Sequence, residues 1–134
     1  MSSVNILSLT DNGDERGSSF SLPLASLSYL AAIRNVHLTT LRPGHVRGNH
    51  YHEKQRESIL VVHTDRWMLV WDTGANTSRH TQVFLKSGAV LVEVEALAAH
   101  AIKNAGNREL IILSCTEQPY DPDDPDVHTR QLTS

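Results

Sequence analysis

Two histidines one residue apart and a carboxylate just beyond them carry the chemistry of a metal site: His50 and His52 in Gly44-His45-Val46-Arg47-Gly48-Asn49-His50-Tyr51-His52, then Glu57. Side chains alternate along a strand, so His50 and His52 point the same way with Cα atoms about 6.6 Å apart. Both imidazoles can then converge on one ion at roughly 2.0–2.1 Å, with Tyr51 turned away. The turn Glu53-Lys54-Gln55-Arg56 can fold the next strand back beside the first and present Glu57. A further imidazole comes from His100, which shares a strand face with Ile102. Taken alone, His100 reads as a hydrogen-bonded core residue; in the company of the other three it reads as a ligand. Three imidazole nitrogens and one carboxylate oxygen suit a single divalent transition metal ion. The set suits zinc, iron, manganese, nickel or copper, and ligand softness does not separate them. His63 shares the parity of Glu57 but lies about 20 Å along the same strand. It is expected to be a strand-end or surface residue and not a ligand.

The elements that must hold these groups are strands. From residue 35 onward the expected strands are Asn35–Leu41, Asn49–His52, Glu57–His63, Trp67–Asp72, His80–Leu85, Ala89–Val94, Ala99–Lys103 and Glu109–Thr116. They are short, rich in β-branched and aromatic residues, and separated by Gly, Asn, Asp or Pro. Strands at this spacing without long intervening helices imply an all-β sandwich or small barrel. Residues 9–19 read as a polar loop, and residues 25–33 as a short helix or strand. Residues 1–34 are therefore expected to pack on a barrel spanning 35–118, with 119–134 an extended, solvated tail. Trp67-Met68-Leu69-Val70-Trp71 and Leu110-Ile111-Ile112-Leu113 are apolar on both faces. A second apolar face needs a cover, either a second subunit or the N-terminal segment.

At 134 residues the chain is expected to form one domain. Its net charge of −3 and the lack of a Lys/Arg cluster give a nucleic-acid partner no electrostatic footing. No apolar run approaches the ~18–20 residues that cross a bilayer, and the N-terminus has no signal-peptide pattern. The lone Cys115 excludes an internal disulfide and sits in an apolar run, where a buried, inert thiol is expected. A cytoplasmic location follows as the expectation.

Gly44-x5-His50-x-His52-x4-Glu57 resembles the first cupin motif at every position but its last, where Thr64 replaces a glycine. The second motif is matched at Gly88, His100 and Asn104, with Gly88 displaced by one residue and Glu95 and Leu97 standing at its Pro and Gly positions. Resemblance to the metal-binding cupins implies a single-domain jelly-roll β-barrel, commonly a homodimer. It also implies that His50, His52, Glu57 and His100 hold an ion at the bottom of an open pocket. The string Arg47-Gly48-Asn49-His50-Tyr51-His52 with Tyr120-Asp121-Pro122 is similar to the cupins of bacterial polysaccharide biosynthesis. Relatives there bind zinc and epimerise 4-keto nucleotide sugars, and the deoxysugar epimerases and keto-isomerases carry a related Arg-Gly-x-His string.

That likeness implies a metal-dependent epimerase or isomerase acting on a keto nucleotide sugar. Arg47 would then clamp a diphosphate, although an ordinary surface arginine is the competing reading. His45 is the candidate base and Tyr120 the candidate acid, with structural or surface roles open for both. In the deoxysugar epimerases the histidine of Arg-Gly-x-His serves as the base; its counterpart here is His50, which the metal reading occupies. An iron- or manganese-dependent dioxygenase acting on a small organic molecule, and a non-catalytic metal- or ligand-binding module, are the alternatives, because one fold hosts all three.

Overall fold

The computed structural model describes residues 3–134, and nearly all of its regular structure is antiparallel β. In chain order the elements are β1 (Val4–Ser8), α1 (Leu24–Leu27), β2 (Asn35–Leu41), β3 (Val46–Tyr51), β4 (Glu57–His63), β5 (Trp67–Trp71), β6 (His80–Phe84), β7 (Gly88–Val94), β8 (His100–Lys103), β9 (Leu110–Thr116) and β10 (His128–Thr129). Two five-stranded sheets, ordered β1-β7-β4-β9-β2 and β10-β3-β8-β5-β6, face one another as the jelly roll that the cupin resemblance implied. The eight strands anticipated from residue 35 onward all form. The first and last strands escaped notice because five polar-flanked residues and a two-residue pair carry too little pattern.

The β4 strand alternates strictly, with Glu57, Ile59, Val61 and His63 facing inward and buried. Against them pack Trp67, Leu69, Val90, Val92, Val94, Ile102, Leu110 and Ile112, so the closed end of the barrel is filled with hydrocarbon. His63 ends its strand as expected, but it is buried. Its Nδ1 faces the carbonyl of Lys86 at 2.8 Å and its ring lies against Trp67 and Phe84. Gly88 makes room for it, since a Cβ there would sit 3.0 Å from the ring.

The turn after His52 does not make a hairpin. β3 pairs with β8 and β10, whereas β4 pairs with β7 and β9, so the chain crosses from one sheet to the other. The corner is held by Asp126, whose carboxylate accepts hydrogen bonds from the backbone N–H groups of Glu53 and Lys54 at 2.8 and 3.0 Å. Glu57 thus meets the histidines from the opposite wall.

The second apolar face of β5 is covered by neither expected element. Leu132 from the C-terminal segment is buried in a cluster with Val70, Ala99 and Ala101. The segment expected to be solvated is therefore a strap with a buried anchor, a burial that contributes about 1.5–3 kcal/mol. The outer face of the other sheet stays open at β2 and β9, where Val36, Leu38 and Ile111 are exposed by 58%, 67% and 48%.

Two of the departures from the cupin motifs, at Thr64 and Leu97, have structural answers. The turn at Thr64 is held by Asp65, which accepts the N–H of Asn107 at 2.7 Å. Leu97, at a position where the motif has glycine, keeps a left-handed backbone at φ 74° and donates its N–H to the carbonyl of His52 at 2.7 Å. A side chain in that region costs roughly 1–2 kcal/mol. Leu97 is half exposed, so Leu97→Gly is expected to stabilise the fold by about 1 kcal/mol; a chemical-denaturation midpoint that falls would contradict this. The motif's Asn104 is structural. It is buried, donates through Nδ2 to the carbonyls of Leu41 and Arg108 at 2.8 and 2.7 Å, and so joins the ends of β2 and β9.

Candidate metal centre

The ends of three strands and the residue after one of them bring the predicted cluster together. Gly48 and Asn49 form a bulge in β3, with φ of 98° and 57°, and the register with β8 shifts across them. Gly48 is required there, because a Cβ would lie 2.6 Å from the carbonyl oxygen of His100. The bulge sets His50 directly opposite His100. His52 lies one residue past the strand, yet the imidazoles of His50 and His52 still converge, with ring centroids 5.4 Å apart.

Candidate ligand atoms of His50, His52 and Glu57 lie within 4.8 Å of one another. His100 joins them: its Nε2 is 3.1 Å from Glu57 Oε1, the same oxygen that lies 3.1 Å from His52 Nε2. Its ring meets that of His50 edge-on, with centroids at 4.8 Å. The other Glu57 oxygen accepts from the hydroxyl of Ser114. The four predicted side chains are thus gathered in one place, with His52, Glu57 and His100 buried.

The electrostatics are those of protons crowded around one carboxylate. Burial pushes the His50 imidazole down to about 4, helped by the neighbouring His100 and His52 and opposed by Glu57. Burial alone would depress His52 too, but its bond to Glu57 and the carbonyl of Asp126 lift it above the ordinary histidine value. Burial likewise favours neutral Glu57, and the charges and hydrogen bonds of His100 and His52 outweigh it, holding the carboxyl well below its usual range.

The donor set fits a divalent cation. His52 Nδ1 faces the carbonyl of Asp126 at 2.7 Å and Nε2 faces a carboxylate, so both of its partners are acceptors. Without a cation the ring must carry two protons. With one, Nδ1–H stays on the carbonyl and Nε2 presents a lone pair, the orientation second partners impose on ligating histidines. His100 Nδ1 is buried without a hydrogen-bond partner among the described residues, so the protein leaves one nitrogen of that ring unsatisfied.

These groups lie in a cavity of about 550 Å³ lined also by Asn35, His37, Thr39, Arg47, Ser114 and Tyr120. Arg47 and Tyr120 both line this pocket. His45 does not; it lines a separate shallow depression with Arg42, and Arg47 sits on the lip between the two. Tyr51 faces away as expected, stacked on His128 and beneath the Arg130 guanidinium. Cys115 is half-buried, with its thiol pushed up by burial and by Glu57. Among the described residues no helix is long and apolar enough to cross a membrane.

Sequence reasoning missed the polar row on β2. In Asn35-Val36-His37-Leu38-Thr39 the polar parity points into the cavity and the apolar parity points out. The alternation was visible, but hydrophobic-in is the default reading of such a strand.

Comparison with known proteins agrees with this picture. The family model of the polysaccharide biosynthesis C-terminal domain matches residues 12–128. No curated protein sequence matches the chain. Among solved structures, the capsular polysaccharide assembling protein CapF from Staphylococcus aureus superposes with a TM-score of 0.64 at 22% identity, covering 92% of this chain and 34% of that one. The chain thus spans about a third of CapF's length. A mutant of the 3,4-ketoisomerase QdtA from Thermoanaerobacterium thermosaccharolyticum, in complex with TDP-4-keto-6-deoxyglucose, gives 0.65 at 14% identity, covering 92% and 85%. The rmlC epimerase of Mycobacterium tuberculosis gives 0.71 at 16% identity, covering 94% and 68%. At these identities the likeness is one of fold, a cupin-type jelly roll.

Proposed function

The chain belongs to the polysaccharide biosynthesis C-terminal domain family, and from that premise we propose that it is a metal-dependent epimerase or isomerase of a keto nucleotide sugar. The observation that carries this is the cluster of three imidazoles and one carboxylate, all but His50 fully buried, at the floor of an open pocket. His50, His52, Glu57 and His100 would hold one divalent ion, zinc first. The ion would supply positive charge to a carbonyl oxygen that becomes anionic when a proton leaves the neighbouring carbon, an effect of several kcal/mol.

The protein's own groups do the rest. Arg47, on the lip of the pocket, would hold the substrate's diphosphate through paired N–H donors. Tyr120 lies on the segment that lines the mouth and is the candidate proton donor. Asn35 and Thr39 offer hydrogen bonds to sugar hydroxyls. Solved neighbours add support, since QdtA structures hold TDP and a TDP-linked keto sugar. Such a substrate and a free thiol at Cys115 are at home in the cytoplasm.

The test is metal identification on tag-free protein, followed by incubation with TDP- and UDP-linked 4-keto-6-deoxy sugars in deuterium oxide. One divalent ion per chain and deuterium beside the ketone are expected. Protein that takes up no divalent metal, or fails to label any of these sugars, would refute the proposal. The exposed Val36, Leu38 and Ile111 support a homodimer closed over the outer face of the first sheet. Light scattering is expected to give twice the chain mass of 14.9 kDa; a monomer at micromolar concentration would exclude it.

A further inference from the structure

We infer that His37 is the base that moves the substrate proton, a role neither motif assigns and for which the sequence pointed to His45. The inference rests on the isomerase reading above. It starts from elimination within the pocket. His50, His52, Glu57 and His100 are committed to one another at its floor. The Asp126 carboxylate is taken by two backbone N–H groups, and Asp124 by the Lys54 ammonium at 2.5 Å. Arg47 is always protonated and donates to the carbonyl of Thr40 at 3.1 Å. His37 and Tyr120 are the titratable lining groups left over, and the side chain of neither makes a hydrogen bond or ion pair with any described residue. Imidazole is the one of the two that accepts a proton near neutrality.

Its placement suits the task. His37 is paired across the sheet with Ser114, whose hydroxyl holds Glu57. Two strand spacings and a two-residue offset separate His37 from Glu57, putting their Cα atoms about 12 Å apart. Both side chains point into the cavity from the same sheet, so a sugar ring bound between them presents its carbonyl to the cluster and the adjacent carbon to His37. β2 turns its polar parity toward the pocket, where Asn35 and Thr39 are half-buried and His37 stays solvent-accessible, open to an incoming substrate.

The step balances without an external reagent. An imidazole nitrogen of His37 forms a bond to the proton as the C–H bond beside the ketone breaks. The C–H electron pair becomes the carbon–carbon π bond, and the carbonyl π pair moves onto oxygen. Return of a proton to the same carbon from the other face inverts it. Return to the former carbonyl carbon, when the neighbour bears a hydroxyl, shifts the ketone: the hydroxyl proton passes to the former carbonyl oxygen, the π pair takes up the returning proton, and the O–H pair forms the new C=O.

The experiment compares wild type and His37→Gln, both metal-loaded, for deuterium uptake into TDP- and UDP-linked 4-keto-6-deoxy sugars. The variant is expected to keep its metal content, to bind TDP within about twofold of wild type, and to exchange 10²–10⁴-fold more slowly, roughly the range for loss of a general base. Added imidazole should restore part of the rate. A variant that exchanges within about threefold of wild type overturns the inference while leaving the isomerase reading intact. A variant that loses TDP binding in step with exchange, without imidazole rescue, assigns His37 to binding and also overturns it. Wild type that exchanges nothing overturns the isomerase reading and this inference together.

Discussion

Replacing His52 with alanine is expected to weaken metal binding by at least about 100-fold while leaving the β-rich circular dichroism nearly unchanged. The loss follows from what the ring does on both sides. Its Nε2 is one of the atoms converging with those of His50 and Glu57, and its Nδ1 is fixed by the carbonyl of Asp126 at 2.7 Å. Removing a partner that only orients a ligand already costs 10–100-fold; removing the ligand takes more. The fold should survive because the hydrocarbon core around Val61, Trp67, Leu69 and Val92 lies deeper in the barrel than the cluster. The cost in the metal-free protein is one buried hydrogen bond and one partner of Glu57, about 1–3 kcal/mol. Elemental analysis of the purified variant is the check, with thermal unfolding alongside it. Metal retained at full stoichiometry would remove His52 from the ligand set, and loss of the β signal would show that the cluster is structural.

What the sequence made legible follows a physical line. Period-two alternation and punctuation located β4, whose residues face core and outside by turns, whereas β7 was legible as a β-branched run between turn residues because both of its faces are buried. The i, i+2 histidines and Glu57 were legible because metal coordination demands a donor type at each position, and that demand is local. What was not legible is non-local. β4 lies in the other sheet from β3 because Asp126, far along the chain, caps the corner at Glu53 and Lys54. The second apolar face of β5 is covered by Leu132 for the same reason. β2 was misjudged in direction, because a strand that lines a wet pocket reverses the usual burial of its apolar parity, leaving Val36 and Leu38 on the outer face and His37 on the pocket wall.

The strap that escaped sequence reasoning yields the second large effect. Arg130→Ala is expected to destabilise the protein by about 2–4 kcal/mol and to weaken metal binding by roughly tenfold. The Arg130 Nη1 donates to both carboxylate oxygens of Asp72 at 2.9 Å, and the guanidinium lies 4.3 Å over the Tyr51 ring. Asp72 is buried and also accepts the N–H groups of Gly74 and Ala99 at 3.1 and 2.9 Å. Leaving a buried carboxylate without its cation costs 3–5 kcal/mol when burial is complete. The partial exposure of Arg130 and the two retained N–H donors reduce that figure. The effect on metal is indirect. The Arg130 backbone N–H donates to the carbonyl of Asn49 at 2.9 Å, and Asn49 Oδ1 accepts the N–H groups of Leu132 and Thr133. Asn49 is the bulge residue beside His50, and Asp126 on the same strap orients His52. A loosened strap therefore relaxes both histidines at once. Asp72→Asn combined with Arg130→Met removes the buried charge with its partner, and it should recover most of the stability without recovering all of the metal affinity. Denaturant titration and metal competition on the single and double variants separate the two consequences. A single variant as stable as wild type would mean that Asp72 is satisfied by its backbone donors alone.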